Sequence, residues 1–498
     1  MAECHQNQNG DGFREMQKDL FHKSSDGCRF RHLVDRAIKP LNVEAAFLWL
    51  AACGGSYVAG PDGLSFKHLE KMPVMEVCNR LKQMLGHYAP GEVKREYING
   101  RPFGVPCVWD RLLQQCVLQV LEPILEGRFH PRSYGFRPGR NGENALADLA
   151  FKVNRQHLYY VVSFGLPEIW EQADVNVLLR NLKACGIQDM KLLQVIKAML
   201  GARVSYLDGH ACQPGRGLFQ AGLLAPLFLN AYLDSLDQWV SGQWETFAPE
   251  KDYTRFWEDV GTVDRSHQYR ALRNTGLKEM YLVRHGCDVC IVTDSAGCAE
   301  RVCHGVRGWA ARNLKLGVPD GRFHVCDLRH GSMEFLGFSL NAIRKGRMGD
   351  GRQRYVFNSH VSAESLGCLK AELSAQVWEI AKHAGSDKGM AAVVKYNSMV
   401  IRAHKYYSLA VNCNDDFNVL GAGIQKKLYN KLKRNNDTKR GGTVNFRRSG
   451  VYTGGNLDYQ RYMQSATVRF YRGFPILPVG YVQHRKPMML KHGNPYDK

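Results

Sequence analysis

Two β-rich runs, residues 280–283 and 289–293, flank the short segment His285-Gly286-Cys287-Asp288. A connection that tight joins neighbouring antiparallel strands, so the chain must contain a hairpin there. Tyr159-Tyr160-Val161-Val162 reads as another strand, and residues 334–340 as a further one. Helical spacing surrounds them. Leu112, Cys116, Val120 and Ile124 recur every four residues and form one helix face. Asp174 caps a helix carrying Leu178, Leu179 and Leu182 that Gly186 ends; Asp189 caps the next, with Leu193, Ile196 and Leu200, closed by Gly201. Helical periodicity over 32–49 breaks at Cys53-Gly54-Gly55 and again at Gly60-Pro61-Asp62-Gly63. Leu366, Leu369, Leu373, Val377 and Ile380 mark a long amphipathic helix, and a second follows after Gly385-Ser386 to about residue 409. The fold class is therefore α+β, becoming helical and then basic and irregular. Residues 1–30 are polar and read as a frayed tail. Residues 433–455, rich in Asn, Gly, Lys and Arg, read as a mobile loop, and the glycine pairs Gly441-Gly442 and Gly454-Gly455 lack a following phosphate-loop lysine.

A chain of 498 residues with 44% apolar side chains can bury a sizeable core in about three domains. No apolar stretch approaches the roughly 20 residues a membrane-spanning helix needs. The N-terminus has no apolar core, and Glu3, Asp11, Glu15 and Asp19 argue against a transit peptide. The 15 cysteines, unpaired in spacing, read as reduced thiols, and the expected location is the cytoplasm.

The net charge of +20 is unevenly placed. From Lys395 onward there are 19 Lys and Arg against 5 Asp and Glu, a net +14. Aromatic residues are interleaved with this charge, as in His404-Lys405-Tyr406-Tyr407, Phe446-Arg447-Arg448 and Arg469-Phe470-Tyr471-Arg472. Basic groups find phosphates and aromatic faces stack on unpaired bases, so the mixture suits single-stranded or structured RNA.

Several stretches together resemble one family. They are Gly104-Val105-Pro106, Asp110-Arg111, Gln114-Gln115 and Leu121-Glu122-Pro123-Ile124, then Ser133-Tyr134-Gly135-Phe136-Arg137-Pro138-Gly139-Arg140. Phe219-Gln220-Ala221-Gly222-Leu223-Leu224-Ala225-Pro226-Leu227, Asn230-Ala231-Tyr232-Leu233 and Phe335-Leu336-Gly337-Phe338 follow. The pattern is similar to group II intron-encoded reverse transcriptases and maturases, over roughly residues 40–495. The resemblance implies a right-hand polymerase with fingers and palm over 31–345. It also implies an α-helical thumb and maturase domain over 346–435 and a basic nucleic-acid-binding segment over 436–498. Such a palm holds two Mg²⁺ ions on three aspartates, because two close divalent ions need carboxylate oxygens to offset their charge.

The sequence departs from the family at those positions. Gly165 stands where the first aspartate is expected, and the hairpin tip retains Asp288 alone, with Cys287 in place of its neighbour. The family's Pro-Gln-Gly signature reads Phe219-Gln220-Ala221, and the basic segment before Gly104 is shortened to Tyr97-Ile98-Asn99-Gly100-Arg101-Pro102. Glu168, Glu171 and Asp294 lie near in sequence as substitute ligands. One carboxylate is insufficient for two Mg²⁺ ions, so no cofactor is expected; Mg²⁺ would be required only for residual polymerase activity.

Other residues carry two readings each. Cys287 and Cys290, followed by Cys298, Cys303 and His304, are either zinc ligands or small apolar fillers of the strand and helix. Arg137 and Arg140 either line the template path or hold the fingers, and the resemblance places Gln220 near the incoming nucleotide. Lys395-Tyr396-Asn397 and Ile401-Arg402-Ala403-His404-Lys405-Tyr406-Tyr407 resemble the maturase helix that meets intron RNA, with one of the two tyrosines in the core. Gln483-His484-Arg485-Lys486-Pro487-Met488 and Asn494-Pro495-Tyr496 resemble the segment preceding an HNH endonuclease, a module not expected here. The RNA-binding candidates are Arg402, Lys405, Tyr406, Lys426, Lys427, Arg447, Arg448, Arg485 and Lys486. The leading expectation is a maturase-like protein that binds group II intron RNA without polymerising, with DNA as a further partner of the basic tail. An atypical RNA-directed DNA polymerase and a decayed intron-encoded protein are the alternatives.

Overall fold

The computed structural model describes residues 2–53, 58–98, 101–206, 208–253, 255–257, 262–349, 351–435, 446–447, 454–490 and 495–497. The chain divides into two compact units. The first comprises Met1–Leu149, Tyr160–Val325 and Met489–Lys498; the second, Ala150–Tyr159 and Cys326–Met488. The expected boundary at residue 345 falls inside the strand Phe338–Arg347, and the passage between units lies earlier.

The N-terminal residues are not a frayed tail. Helix α1 (Ala2–Ser25) docks on α2 (Val108–Glu126). Gln17 Nε2 donates to the Gln119 carbonyl, Ser24 Oγ donates to the Ile124 carbonyl at 2.6 Å, and Leu20 is buried. The correction has a simple reason: polar composition measures only the exposed face, whereas the anchoring bonds go to residues about a hundred positions away. Strands β1 (Val93–Ile98) and β2 (Arg101–Pro106) form a hairpin where the sequence suggested only a shortened segment.

The predicted hairpin is present. Strand β3 (Tyr160–Gly165) pairs antiparallel with β5 (Asp288–Thr293), which pairs antiparallel with β4 (Met280–His285). Side chains alternate between faces. Val162, Phe164, Val289 and Ile291 enter the apolar core that also holds Leu112 and Val120 of α2, while Gly165 and Asp288 lie on the other face. Asp174 and Asp189 cap their helices by accepting backbone N–H bonds, as their positions predict.

Arg284, one residue from the end of β4, is fully buried. Its guanidinium grips both oxygens of Asp237 on α3 (Ala225–Gly242), at 2.6–2.9 Å. Its Nη1 donates to Asn230 Oδ1, also on α3, and to the Gly286 carbonyl at the hairpin tip, each at 2.9 Å. Its own backbone exchanges bonds with Arg132 and Tyr134. One side chain thus ties the hairpin to a helix.

In the second unit, β6 (Phe338–Arg347) and β7 (Gln353–Val361) form a long hairpin, with Met333–Phe335 on the far side of β6. Three helices follow: α4 (Ala363–Lys382), α5 (Asp387–Tyr407) and α6 (Cys413–Asn435). Ser362 and Ser386 cap the first two by accepting from Ser365 N and Gly389 N. The C-terminal part is only partly irregular: residues 477–490 hold no helix or strand. Among the described residues it holds a helix, Leu457–Tyr462, and a three-stranded sheet of Phe446–Arg447, Arg469–Tyr471 and Phe474–Ile476. Asn397 of α5 secures it, donating to the Pro475 carbonyl and accepting from Leu477 N.

His404 of α5 performs a similar task. Its Nε2 lies 2.7 Å from the Val479 carbonyl, which can only accept, so Nε2 carries the proton and Nδ1 accepts from the Tyr462 hydroxyl, also at 2.7 Å. Burial, aided by Arg461, pushes its pKa down to about 4 against the opposing Val479 bond. The imidazole is neutral in the folded state.

Replacing Arg284 by Met is expected to destabilise the first unit by about 3–5 kcal/mol, because Asp237 is left buried and unpaired. Adding Asp237→Leu should recover most of that loss; urea unfolding of the single and double variants measures both. For His404, the unfolded state takes up the proton first, so its contribution is intact above pH 6.5 and is lost as pH falls from 6.5 to 4. The lost amount approaches about 3 kcal/mol at the acid end. Urea midpoints of wild type and His404→Gln, followed from pH 7 to pH 4, should converge if this is the group responsible.

Candidate catalytic centre

The antiparallel register sets Gly165 directly opposite Asp288, and Asp288 opposite His285. These three lie in one row at the tip end of the sheet. A Cβ on Gly165 would meet Asp288 Oδ1 at 3.5 Å and Pro167 Cδ at 3.7 Å, both ordinary contacts. No steric requirement therefore fixes glycine at 165, and an acid there would face the Asp288 carboxylate. The tip itself turns through Gly286, whose φ is +62°, while Cys287 is not left-handed. That is the pattern of a two-residue turn with its permissive residue first.

Cys287 is 4% exposed and belongs to the apolar core cluster. Its carbonyl accepts from Leu166 N, which locks the end of β3 to the tip. Cys290 is fully buried, and burial, with Asp288 nearby, raises its thiol pKa well above the ordinary value. A protonated, solvent-excluded thiol is a poor metal ligand. Cys298 is buried on the helix Ala296–Asn313 and Cys303 follows on it. Among the described residues, no three His, Cys, Asp or Glu side chains gather to hold a metal ion. The zinc reading has no geometric support.

The substitute acids are committed elsewhere. Glu168 pairs with Arg322, and Glu171 pairs with Arg95 of β1. Arg95 is itself enclosed, its guanidinium 4.9 Å from the Tyr97 ring, 5.1 Å from Tyr206 and 5.3 Å from Phe219. Asp294 follows the far end of β5 and accepts from Ser295 Oγ. At about 3.4 Å per residue it lies roughly 20 Å along the strand from Asp288. Asp288 is thus the one carboxylate of the row, and this donor set does not fit a pair of Mg²⁺ ions.

The Ser133–Arg140 block braces the tip from outside. Gly135 is packed so closely that a Cβ would come within 2.3 Å of Gly286 N, and its carbonyl accepts from Asn230 Nδ2. Phe136 meets Trp170 and His285 edge-on or tilted, at 6.3 Å from each. Arg137 is buried: it forms two bonds to Glu126 of α2 and donates to the His130 and Ser133 carbonyls. Arg140 also reaches Glu126, and donates to the Pro131 carbonyl. Both arginines are engaged in bonds inside the fold. Gln220 is fully buried in the turn Phe219–Leu224, its Nε2 donating to the Arg216 carbonyl at 2.6 Å.

Reasoning from sequence missed Arg284, Asp237 and the Arg95–Glu171 pair. The first had a signal: a charged residue directly after the apolar run Tyr281-Leu282-Val283 in the same strand, where burial tolerates charge only with a partner.

The RNA-binding candidates lie in the second unit. Arg402, Lys405 and Tyr406 share a face of α5, all exposed. Lys405 forms an ion pair with Asp458 at 2.9 Å, and the Tyr406 hydroxyl donates to the Leu336 carbonyl. Tyr406 and Tyr407 both pack on Phe338. Arg485 N donates to the Ser408 carbonyl, so Arg485 and Lys486 emerge just beyond the end of α5. Lys426 and Lys427 are exposed on α6. Arg447 lies in a strand whose side chains are outside the described residues, as are Arg448 and most of the loop expected over 433–455.

Residues 93–287 match the family model for reverse transcriptase (RNA-dependent DNA polymerase). That interval runs from the first residue of β1 to the hairpin tip. The chain is 27% identical over 381 residues to Protein YkfC of Escherichia coli (strain K12), an alignment covering 74% of this chain and 97% of that one. It is 31% identical over 224 residues to the group II intron-encoded protein LtrA of Lactococcus lactis subsp. cremoris, covering 42% of this chain but 35% of the relative's length. It is 29% identical over 133 residues to the mitochondrial nuclear intron maturase 3 of Arabidopsis thaliana, covering 26% of this chain and 17% of the relative. The Ser133–Arg140 brace, the hairpin it supports and these relatives agree: the chain belongs to the family of group II intron reverse transcriptases and maturases.

Proposed function

We propose that this protein is a maturase-like RNA-binding cofactor of group II intron folding and splicing, acting in the cytoplasm without polymerising DNA. The observation that carries the reading is the row Gly165–Asp288–His285, which offers one carboxylate where the chemistry needs several. In-line displacement with two metal ions depends on carboxylates that neutralise them, and the loss of that electrostatic stabilisation removes most of the rate. The second unit, in contrast, keeps exposed basic groups on two helices, with aromatic rings among them. The name maturase, printed for an Arabidopsis relative, supports RNA as the partner, and the positive C-terminal part leaves DNA as a competitor to be tested.

Binding to structured intron RNA should weaken with salt at a log–log slope of about −0.7 to −0.9 per phosphate neutralised. Replacing Arg402 and Lys426 by Ala should each lower that slope by about 0.7 or more. Filter binding over a salt series measures it, and a salt-independent affinity would refute the reading. Primer extension with Mg²⁺ or Mn²⁺ should yield no product; incorporation that Asp288→Ala abolishes would establish an atypical polymerase instead.

The two restoring substitutions should behave differently. Gly165→Asp has room, so its cost should be limited to repulsion from the facing Asp288 carboxylate, about 0.2–1 kcal/mol. Cys287→Asp places an acid in the apolar core and should cost about 1–3 kcal/mol even as the neutral form. Thermal melts of the two variants compare them directly.

A further inference from the structure

Trp378 stands on the outer face of α4 and is 59% exposed, although a large aromatic side chain ordinarily gains more than any other from burial. Two lysines of α6 reach across to its side of α4. Lys431 Nζ lies 3.4 Å from the centre of the Trp378 ring, and Lys427 Nζ donates to Ser374 Oγ at 2.7 Å. Ser374 and Trp378 are one turn apart on α4, as Lys427 and Lys431 are on α6, so two matching ridges lie side by side. Residues 425–432 contain Lys426, Lys427 and Lys431 and no acid. On α4 the neighbouring acid, Glu379, turns along its own helix to His383 at 3.6 Å. The patch therefore combines an open π face with uncompensated positive charge.

We propose that this α4–α6 face is a stacking platform for an unpaired RNA base, with the base on the Trp378 indole and Lys427 and Lys431 on the flanking phosphates. The proposal rests on the RNA-binding reading above and adds to it the kind of RNA bound here: single-stranded nucleotides, because a base inside a duplex has no free face to offer. Stacking on an indole is tolerant of sequence, and the lysines recognise only the backbone, so the platform holds a strand without reading it. A protein partner fits less well, since the exposed apolar area is a single ring set among ammonium groups. The arrangement also keeps the ring ready. Lys431 holds one side of the indole through the cation–π contact, which limits the rotamers the ring must lose on binding.

The test uses the full chain and a short single-stranded oligouridylate. The emission of Trp378 is obtained as the difference between wild type and Trp378→Phe. It should be quenched saturably as the oligonucleotide is added. Trp378→Ala should weaken binding about five- to a hundredfold, Trp378→Phe much less, because a phenyl ring still stacks. Lys427→Ala with Lys431→Ala should reduce the salt slope by about 1.4. A Trp378→Ala protein that binds the oligouridylate as wild type does, or one that loses duplex RNA as severely as single strands, overturns the platform while the broader RNA-binding reading stands. A wild-type protein that binds neither oligouridylate nor intron RNA removes both. Far-ultraviolet circular dichroism of the variants confirms that each is folded, as the exposure of Trp378 and Lys427 and the partial exposure of Lys431 lead one to expect.

Discussion

The Arg284 guanidinium is the interaction on which the first unit depends. A fixed positive charge with no access to water is costly unless every donor is matched, and here the matching groups come from three places: Asp237 and Asn230 on α3, and the Gly286 carbonyl at the hairpin tip. Because the same residue exchanges backbone bonds with Arg132 and Tyr134, the brace containing Gly135 is held against the tip by the same lock. These groups are spent on one another inside the first unit. The tip is therefore positioned by its support, whatever side chains it presents. That separation explains how Gly165 and Cys287 fit at the tip end of the sheet without distorting the strands: one leaves space beside Asp288, the other is a thiol absorbed by the core.

Much of the fold was legible in the sequence wherever the signal was local. The hairpin tip, the Asp174 and Asp189 caps and the two long helices after Ser362 are each specified by a few consecutive residues. What was not legible rests on distant partners. Helix α1 looks polar because its anchors are Gln17 and Ser24 bonding to carbonyls of α2, and the C-terminal sheet looks irregular because Asn397 and His404 supply its support from α5. The candidate site divides the same way. The pairing of Gly165 with Asp288 follows from strand register, and so does the remoteness of Asp294, which needed only a count along β5. The fates of Glu168 and Glu171 did not follow, since Arg322 and Arg95 approach them from elsewhere in the chain.

Charge has two distinct uses in this molecule, and composition merges them. In the first unit, arginine is a structural fastener. Arg132 grips Asp148 and Glu245, which raise its pKa against burial; Arg137 grips Glu126, and Arg284 grips Asp237. Guanidinium suits the task because its planar fork can satisfy a carboxylate with two bonds and still reach a carbonyl. These charges are spent inside the protein and project little field outward.

In the second unit the described basic groups are mostly lysines and arginines in contact with water. Lys405 is offset by Asp458, but Lys426, Lys427 and Arg402 stand exposed on helices whose opposite faces form the core. An ammonium on a long flexible stem makes a poor fastener and a good counterion for a phosphate whose position varies. The net +20 is thus a poor guide to binding when taken whole. Once the internally paired arginines are set aside, the charge able to meet a polyanion is concentrated on the helical unit. In a chain built this way, binding of a polyanion by the second unit and carboxylate chemistry at the Asp288 row would depend on different residues.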